Sequence, residues 1–366
     1  MKILVLTQEY PSANHIYRNQ YVHTRLKTYL NKGHQILVLS FIEKDEYIFE
    51  SVNVIGRKRF NSNYSIKDFD IVLIHAPNLR NHFRFLILNS SYKKAVFVIH
   101  GHEVLKRSNY YPEPFDFMRS KYYPVKKIFN DLYDYLKLIF LKWYFDKGIS
   151  RRKFYFVFVS QWMKDEFIRN TNLTRKTLDR FSKIIPNPIG VEFINNSYDS
   201  YEEKLADFVT IRPIDRSKHS IDIVKTIAEK NPKILFHVYG EGNYFKFNKQ
   251  PENLKIFPEF IHHSKLPNLL NKYKSALMPT RLDSQGVMMC EMATYGIPVV
   301  TSNLPVCNEM LSDFNNIYFI NNNDINFNAE NFLNSISIKD INKSKFSSQK
   351  TVLKEIEFIQ EIVNTK

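Results

Sequence analysis

Two carboxylates in RLDSQGVMMCEMATYGIPVVTSN, residues 281–303, stand at a spacing that could do chemistry. Asp283 lies in a polar turn, and Glu291 lies eight positions later inside the apolar run VMMCEMATYG. A charge buried without partners is expensive, so Glu291 must face a polar cavity or hold a partner there. Asp283 can accept hydrogen bonds from a hydroxylated ligand, and a diol such as a ribose would satisfy both oxygens of Glu291. Spacing alone allows plainer roles: Asp283 as a helix cap and Glu291 as a group reaching solvent at a helix edge.

Other chemical groups stand where apolar runs end. Arg212 and Lys218, in VTIRPIDRSKHSIDIV, follow one such run and could meet an anion or form a solvated basic loop. His100 ends KAVFVIH, with His102 and Glu103 just beyond; a histidine there can orient a hydroxyl or be a hydrogen-bonded structural residue. Gly240-Glu241-Gly242 follows KILFHVY, and such a turn admits a nucleotide or is a tight turn and nothing more. Gly286 permits close approach of an anion to a helix N-terminus. No metal-ligand spacing is visible, since the HGH of residues 100–102 is too short a signal.

These groups need elements to hold them. KILVLT, QILVLSF, DFDIVLIH, KAVFVIH and FYFVFVS are short apolar runs separated by helical stretches, which suits a parallel sheet covered on both faces. The first helix is expected in YRNQYVHTRLKTYLNKG, with Tyr17, Tyr21/Val22, Leu26 and Leu30 on one face and Gly33 as its stop. After a Pro- and Asn-rich stretch, 184–204, the alternation restarts with DFVTI, KILFHVYG, LKIFPE, ALMPT and IPVVTS as strands. The expected helix from Gly286 to Tyr295 ends at Gly296, and Pro298 blocks its continuation. QKTVLKEIEFIQEIV reads as a last amphipathic helix. The expected fold is α/β, two doubly wound halves facing a cleft, with ligands outside the carboxyl ends of the strands. The boundaries are 1–190 for the first domain, 191–204 for a hinge and 205–346 for the second domain. The helix at about 347–366 packs back on the first domain.

The formal net charge is +15. Residues 1–190 carry 32 Lys/Arg against 16 Asp/Glu, and residues 191–366 carry 20 against 21. One half is strongly basic, so the two domains are expected to have different partners, the first facing something anionic. Cys290 and Cys307 form no framework, which suits a reducing compartment. The opening MKILVLTQEY lacks a signal-peptide core, and no apolar run approaches a membrane span. A cytoplasmic protein is expected, with peripheral contact at the inner face of the cell membrane as its closest approach to lipid.

Asp283-x7-Glu291 followed by MATYGIPVV resembles the signature of retaining glycosyltransferases of the GT-B fold, in the large group 1 family (family four). KGHQILVLS, VFVIHGHE, FVFVSQWMKDEF, IIPNPIGVEF, FHVYGEGN and KLPNLLNKYKSALMPTR resemble further stretches of that family, in its order, so the resemblance covers most of the chain. It implies a sugar transferred from a nucleotide-sugar to a glycan or lipid-linked acceptor in envelope polysaccharide assembly, without cofactor or metal. It implies that Arg212, Lys218 and Gly286 hold the donor diphosphate, with Arg216 as a substitute because the Arg–Lys gap is longer than usual. Glu291 then binds donor hydroxyls, Asp283 contacts the sugar, His100 serves the reacting region, and 240–242 lies near the nucleotide. The family's Gly-Gly loop after the first strand is replaced by the glycine-free QEYPSANHIYRNQ, where His15, Arg18 or Asn19 would meet the acceptor, with His102 and Glu103 nearby. That departure leaves the acceptor open, and the replacement of the family's first signature Glu by Asp283 and of its Phe by Gln285 leaves the donor sugar open.

The segment FMRSKYYPVKKIFNDLYDYLKLIFLKWYFDKGISRRK, 117–153, has ten Lys/Arg and three Asp. Val125, Ile128/Phe129, Leu132, Leu136, Ile139/Phe140 and Trp143 recur at helical spacing. Such a stripe fits a helix lying on an anionic membrane, but the plainer expectation is that it is domain core. Competing functions are a catalytically inactive partner subunit of the same fold, a nucleic-acid-binding protein suggested by the charge, or an epimerase or phosphorylase on this fold. No nucleic-acid module is recognisable, so no nucleic-acid partner is expected.

Overall fold

The computed structural model describes residues 1–15, 18–336 and 341–365. The chain forms two compact units, one of Met1–Lys106, Asp131–Pro188 and Phe346–Lys366, the other of Arg107–Asn130 and Ile189–Lys345.

The first unit is built on eight strands: β1 (Lys2–Thr7), β2 (Gln35–Ser40), β3 (Tyr47–Phe49), β4 (Val52–Ile55), β5 (Ile71–His75), β6 (Ala95–Ile99), β7 (Phe154–Phe158) and β8 (Ser182–Ile184). Their order is β3-β4-β2-β1-β5-β6-β7-β8, parallel throughout except for the β3–β4 pair. Every residue of β5, β6 and β7 is buried, as expected of central parallel strands packed on both faces. Helix α1 (Gln20–Asn31) lays Val22, Leu26 and Tyr29 on the sheet, and Gly33 closes it with a positive φ of 76°. Tyr17, expected on this face, lies outside the described residues. The C-terminal helix Val352–Asn364 completes the same core through Val352, Ile356, Ile359 and Ile362. A buried ion pair joins it to α1: Arg25 Nε lies 3.4 Å from Glu355, and Tyr29 donates its hydroxyl to Glu355 at 2.7 Å.

The long helix α2 (Tyr123–Ser150) corrects the expectation that its stripe is core. Leu138, Leu141, Phe145 and Ile149 are buried, whereas Val125, Ile128, Phe129, Leu132, Leu136, Ile139 and Trp143 are exposed. Both sides of the helix are apolar, and only the side carrying Leu138 and Phe145 meets the sheet. No described helix is long and apolar enough to cross a membrane.

The second unit has six parallel strands, β9 (Ala206–Ile211), β10 (Phe236–Tyr239), β11 (Leu254–Phe257), β12 (Tyr273–Met278), β13 (Val299–Ser302) and β14 (Ile317–Ile320). Their order, β11-β10-β9-β12-β13-β14, is that of a doubly wound sheet whose direction of winding reverses between β9 and β12. Helix α3 (Val287–Tyr295) follows β12. Two segments differ from the boundaries drawn from sequence. Arg107–Asn130 belongs to this unit, because Phe115 and Phe117 pack on its core beside Tyr244. The stretch 191–204 is also part of this unit: Phe193 is buried, and Tyr198 bonds the β12 carbonyl of Tyr273.

Candidate active site

In a doubly wound sheet the loops at the winding reversal diverge and leave a crevice at the carboxyl ends of the strands. Arg212 follows β9 there, and Pro279 to Gly286 follow β12. Arg212 Nη1 donates to the carbonyls of His219 (2.8 Å) and Pro279, and its Nε is buried without a partner among the described residues. Burial pulls the guanidinium pKa down to about 10, against the favourable charge of Asp283. The 217–220 turn is clamped to the β12 end, since Thr280 Oγ1 donates to Lys218 O at 3.1 Å and Arg281 N to the same oxygen at 2.9 Å. Arg281 in turn grips Asp222 through two bonds of 2.7 and 2.6 Å.

This clamp fixes Lys218 while leaving its ammonium without an ion pair among the described residues. Burial lowers the Lys218 pKa, and Asp283 opposes that shift. Arg216, the substitute candidate, is exposed. His219, which sequence reading did not single out, is held neutral: burial first, then Arg212 and Lys218, push its pKa down to about 3. A half-buried Arg–Lys pair, with Asp283 as its nearby acid and a neutral histidine beside it, is built to receive an anion.

Gly240 and Gly242 are required by this packing. Both have positive φ, 153° and 154°. A Cβ on Gly240 would collide with the Arg212 carbonyl, and one on Gly242 with Ile214 and Asp215. Glu241 contributes its carbonyl, which accepts from Ile214 N at 3.1 Å. The 240–242 turn therefore shapes the loop that carries Arg212.

Asp283 folds its own turn. Its Oδ1 accepts the N–H groups of Ser284 (2.8 Å), Gln285 (3.2 Å) and Gly286 (2.7 Å). The Gly286 N–H, expected to meet a diphosphate, is thus spent on Asp283, while its φ of 73° is one that glycine tolerates. No side chain caps α3.

Glu291 is 3% exposed, on α3. Its Oε1 accepts from His263 Nε2 at 2.8 Å and from Gly190 N at 3.3 Å. One carboxylate oxygen is therefore committed within the protein, and a ligand diol has Oε2 rather than both. His263 also lies 3.8 Å from Glu192. Burial opposes its protonation, but the charge and hydrogen bond of Glu291, with Glu192, outweigh burial and hold its pKa above the ordinary value. Gly190 gives this pair room, because a Cβ there would press on the His263 ring and the Glu192 carboxylate. Sequence reading missed His263: it lies 28 positions from Glu291, and only the adjacent pair His262-His263 marks it.

In the first unit, His100 follows β6. Glu103, buried, accepts the N–H groups of His100 (2.9 Å) and Gly101, so it shapes the turn. The His100 Nε2 is buried without a hydrogen-bond partner among the described residues; its ring lies 4.7 Å from Tyr21 and 5.9 Å from His75. Burial, then the charge of Arg25, hold both histidines well below the usual pKa and hence neutral. His102 and His15 are exposed. Arg18 lies 3.7 Å from Glu9 and 3.5 Å from Glu43, which offsets its charge. Asn19 donates to Thr7 Oγ1 and Glu9 O, both at 3.1 Å, so it braces the loop after β1.

Residues 201–343 match the family described as Glycosyl transferases group 1. An uncharacterized 41.2 kDa protein in cps region of Klebsiella pneumoniae is 21% identical over 258 residues, covering 67% of this chain and 63% of the relative. The chain thus spans less than two thirds of that relative's length. WaaG, described as a glycosyltransferase involved in lipopolysaccharide biosynthesis, superposes with a TM-score of 0.57 at 13% identity, over 99% of this chain and 93% of its own. Anabaena Alr3699/HepE, solved in complex with UDP and glucose, gives 0.62 at 13% identity, over 99% and 98%. Likeness at such identity carries the fold, and the fold is GT-B.

Proposed function

We propose, from the premise that the second unit is a group 1 glycosyl transferase domain, that the protein is a retaining glycosyltransferase. It moves a sugar from a nucleotide-sugar to a glycan or lipid-linked acceptor in envelope polysaccharide assembly. The cps-region relative favours that setting. The observation that carries the donor reading is Lys218: its backbone carbonyl is clamped to the end of β12 at the winding reversal, in the loop that follows Arg212, and its ammonium has no ion pair among the described residues.

A nucleoside diphosphate gathers negative charge as its bond to the sugar breaks. Arg212 meets that charge without reorganising, because backbone carbonyls already hold its guanidinium, Lys218 adds a second cation from the clamped turn, and no metal is needed for it. Glu291 offers Oε2 to donor hydroxyls, with the ribose as the proposed partner, and Asp283 offers its outer oxygen to the sugar. His100, neutral, is assigned to orient a hydroxyl in the reacting region. Retention then follows if the leaving phosphate takes the acceptor proton on the face it departs from. A lipid-linked acceptor would be met by peripheral contact with an anionic membrane.

The test is thermal stabilisation by a panel of nucleoside diphosphates, for wild type and Lys218→Ala. A ligand at about 100 times its Kd adds roughly 2.7 kcal/mol. One diphosphate should stabilise the wild type, and the variant should lose most of that response. No response from any diphosphate, with salt-dependent binding to random duplex DNA, would replace the transferase by the nucleic-acid reading. A response without sugar transfer to any acceptor would mark an inactive partner subunit.

A further inference from the structure

The segment Arg107–Asn130 does more than pack on the core of the second unit. Residues 112–117 and Arg119 line a cavity of about 600 Å³, which Ser217, Asp222, Tyr244, Phe247, Asn248 and Arg281 complete. Every lining residue belongs to the second unit. Arg212, Lys218, Asp283 and Glu291 are not among them, so the cavity lies apart from the proposed donor contacts. The two still adjoin, because Ser217 precedes Lys218 and the Arg281 N–H bonds the Lys218 carbonyl at 2.9 Å.

The wall that the segment supplies is stiff and aromatic. Pro112 and Pro114 fix the backbone φ on either side of Glu113. The Pro112 carbonyl accepts from Ser217 Oγ at 3.3 Å, and the Pro114 carbonyl accepts from Arg119 Nε at 2.8 Å. Phe115 lies 4.7 Å from Tyr244, and Phe117 stacks on Phe247 at 4.7 Å with 7° between the rings. Phe247 still keeps 64% of its surface exposed, so an aromatic ring is presented here rather than buried. Five charged side chains line the cavity, and each is already paired: Glu113 with Lys127 at 2.5 Å, Asp116 with Arg119 at 3.1 Å, and Asp222 with Arg281 at 2.6 Å. An ionic ligand would have to break such a pair. A neutral hydroxyl would not, because a carboxylate has lone pairs, and a guanidinium N–H groups, beyond those its partner uses.

We propose that this cavity binds a neutral sugar unit of a glycan. A pyranose has apolar C–H faces for the aromatic rings, and hydroxyls around its whole rim for the paired charges, Ser217 and Asn248. The volume is that of cavities which enclose small-molecule ligands, enough for a short oligosaccharide. A nucleobase would meet the rings equally well, but its few polar atoms lie in one plane and leave most of the paired groups unused. Because the wall is held before a ligand arrives, little ordering opposes binding. That the glycan is the acceptor rests on the transferase reading; the binding itself does not.

The test is saturation-transfer NMR of the full chain with the methyl α-pyranosides of glucose, galactose, mannose, N-acetylglucosamine and rhamnose, beside methyl glucuronide, uridine and adenosine. The neutral sugars share an apolar ring face and differ in the directions of their hydroxyls, so at least one should bind. Phe247→Ser and, separately, Asp116→Ala should each weaken that binding about fivefold or more. Both side chains are largely exposed, so the melting temperature should hold. Lys218→Ala should leave the sugar bound. No binding of any neutral pyranoside, binding of the glucuronide alone, a nucleoside signal that Phe247→Ser abolishes, or variants that bind the sugar like wild type would each overturn the proposal. So would a sugar signal lost in Lys218→Ala but kept in Phe247→Ser, because the sugar would then sit among the donor contacts. The diphosphate response separates the two ideas: sugar binding absent with that response intact condemns the cavity alone, and the converse condemns the transferase reading alone.

Discussion

Glu291→Gln keeps the shape of the site and removes one charge, so it isolates what the carboxylate does. In the wild type Glu291 Oε1 accepts a hydrogen bond from His263 Nε2 at 2.8 Å, with both groups largely out of water. A hydrogen bond between charged partners contributes about 1.5–3 kcal/mol. A glutamine can still accept, but only a neutral-strength bond, so a loss of about 1–2 kcal/mol is expected at pH 6. At roughly 2–4 °C per kcal/mol for a unit of this size, melting should fall by about 2–8 °C. The sign of the pH dependence follows from His263. Its folded pKa is raised, so its stabilisation is fully present below about pH 6.5 and is lost as pH rises through the folded value. In the variant, burial becomes the main influence and draws that pKa downward, with Glu192 at 3.8 Å left to oppose it. The gap between wild type and variant should therefore be widest near pH 5.5 and narrow by pH 8.5. Melting curves at both pH values, with the His263 imidazole proton followed by NMR, measure both effects. A His263 pKa unchanged in Glu291→Gln, or a gap independent of pH, would refute the pairing.

Asp283→Ala should destabilise by about 0.5–2 kcal/mol in urea unfolding, because three N–H groups lose their shared acceptor, while Asp283→Asn should recover most of it. Equal losses in both would mean that charge, not the acceptor oxygen, holds the turn. His75 and His100 predict acid sensitivity: their folded pKa values are depressed, so the unfolded chain takes up their protons first, and stability present above pH 6.5 is lost as pH falls. Each approaches about 1.4 kcal/mol per pH unit only below the unfolded pKa, so the pair costs roughly 2 kcal/mol between pH 6.5 and 5.5. His82 and His219, also depressed, add to the same slope, so His75→Leu should lower it by about a quarter in denaturant titrations, and an unchanged slope would place the acid sensitivity elsewhere.

The central strands were legible because parallel strands covered on both faces must be apolar at every position. IVLIH, AVFVI and FYFVF announce themselves for that reason. The strands passed over, Tyr47–Phe49, Val52–Ile55, Ser182–Ile184 and Ile317–Ile320, have three or four residues each and lie at or next to a sheet edge, where burial on both faces no longer requires an apolar run. Arg212, Lys218 and Asp283 were legible as candidates because they follow such strands, and a strand end fixes a residue's place to within a turn. What stayed hidden was who bonds to whom. That Asp283 would consume the Gly286 N–H, or that His263 would reach Glu291, depends on loop conformations set by packing between distant segments.

Helix α2 shows the other limit. Period counting finds an apolar stripe but not the side on which the protein lies, and here both sides are apolar. Val125, Leu132, Ile139 and Trp143 make the longer stripe, so counting assigns the core to them, and the structure assigns it to Leu138, Leu141 and Phe145. One residue in the sequence does distinguish the faces. Gly148 lies in the last turns of the helix, where glycine costs about 1 kcal/mol relative to alanine. A Cβ there would run into the Phe154 ring at the start of β7. Glycine is also scarce in this chain, at 9 residues, so one inside a helix points to a close approach rather than to chance. Gly148 falls three positions after Phe145 and four before Arg152, on the turn that follows Leu141 and Phe145 at helical spacing, and so marks their side as the packed one. The remaining apolar stripe then cannot be core, and a helix that keeps Leu, Ile and Trp in water along its whole outer side carries them for something that covers them.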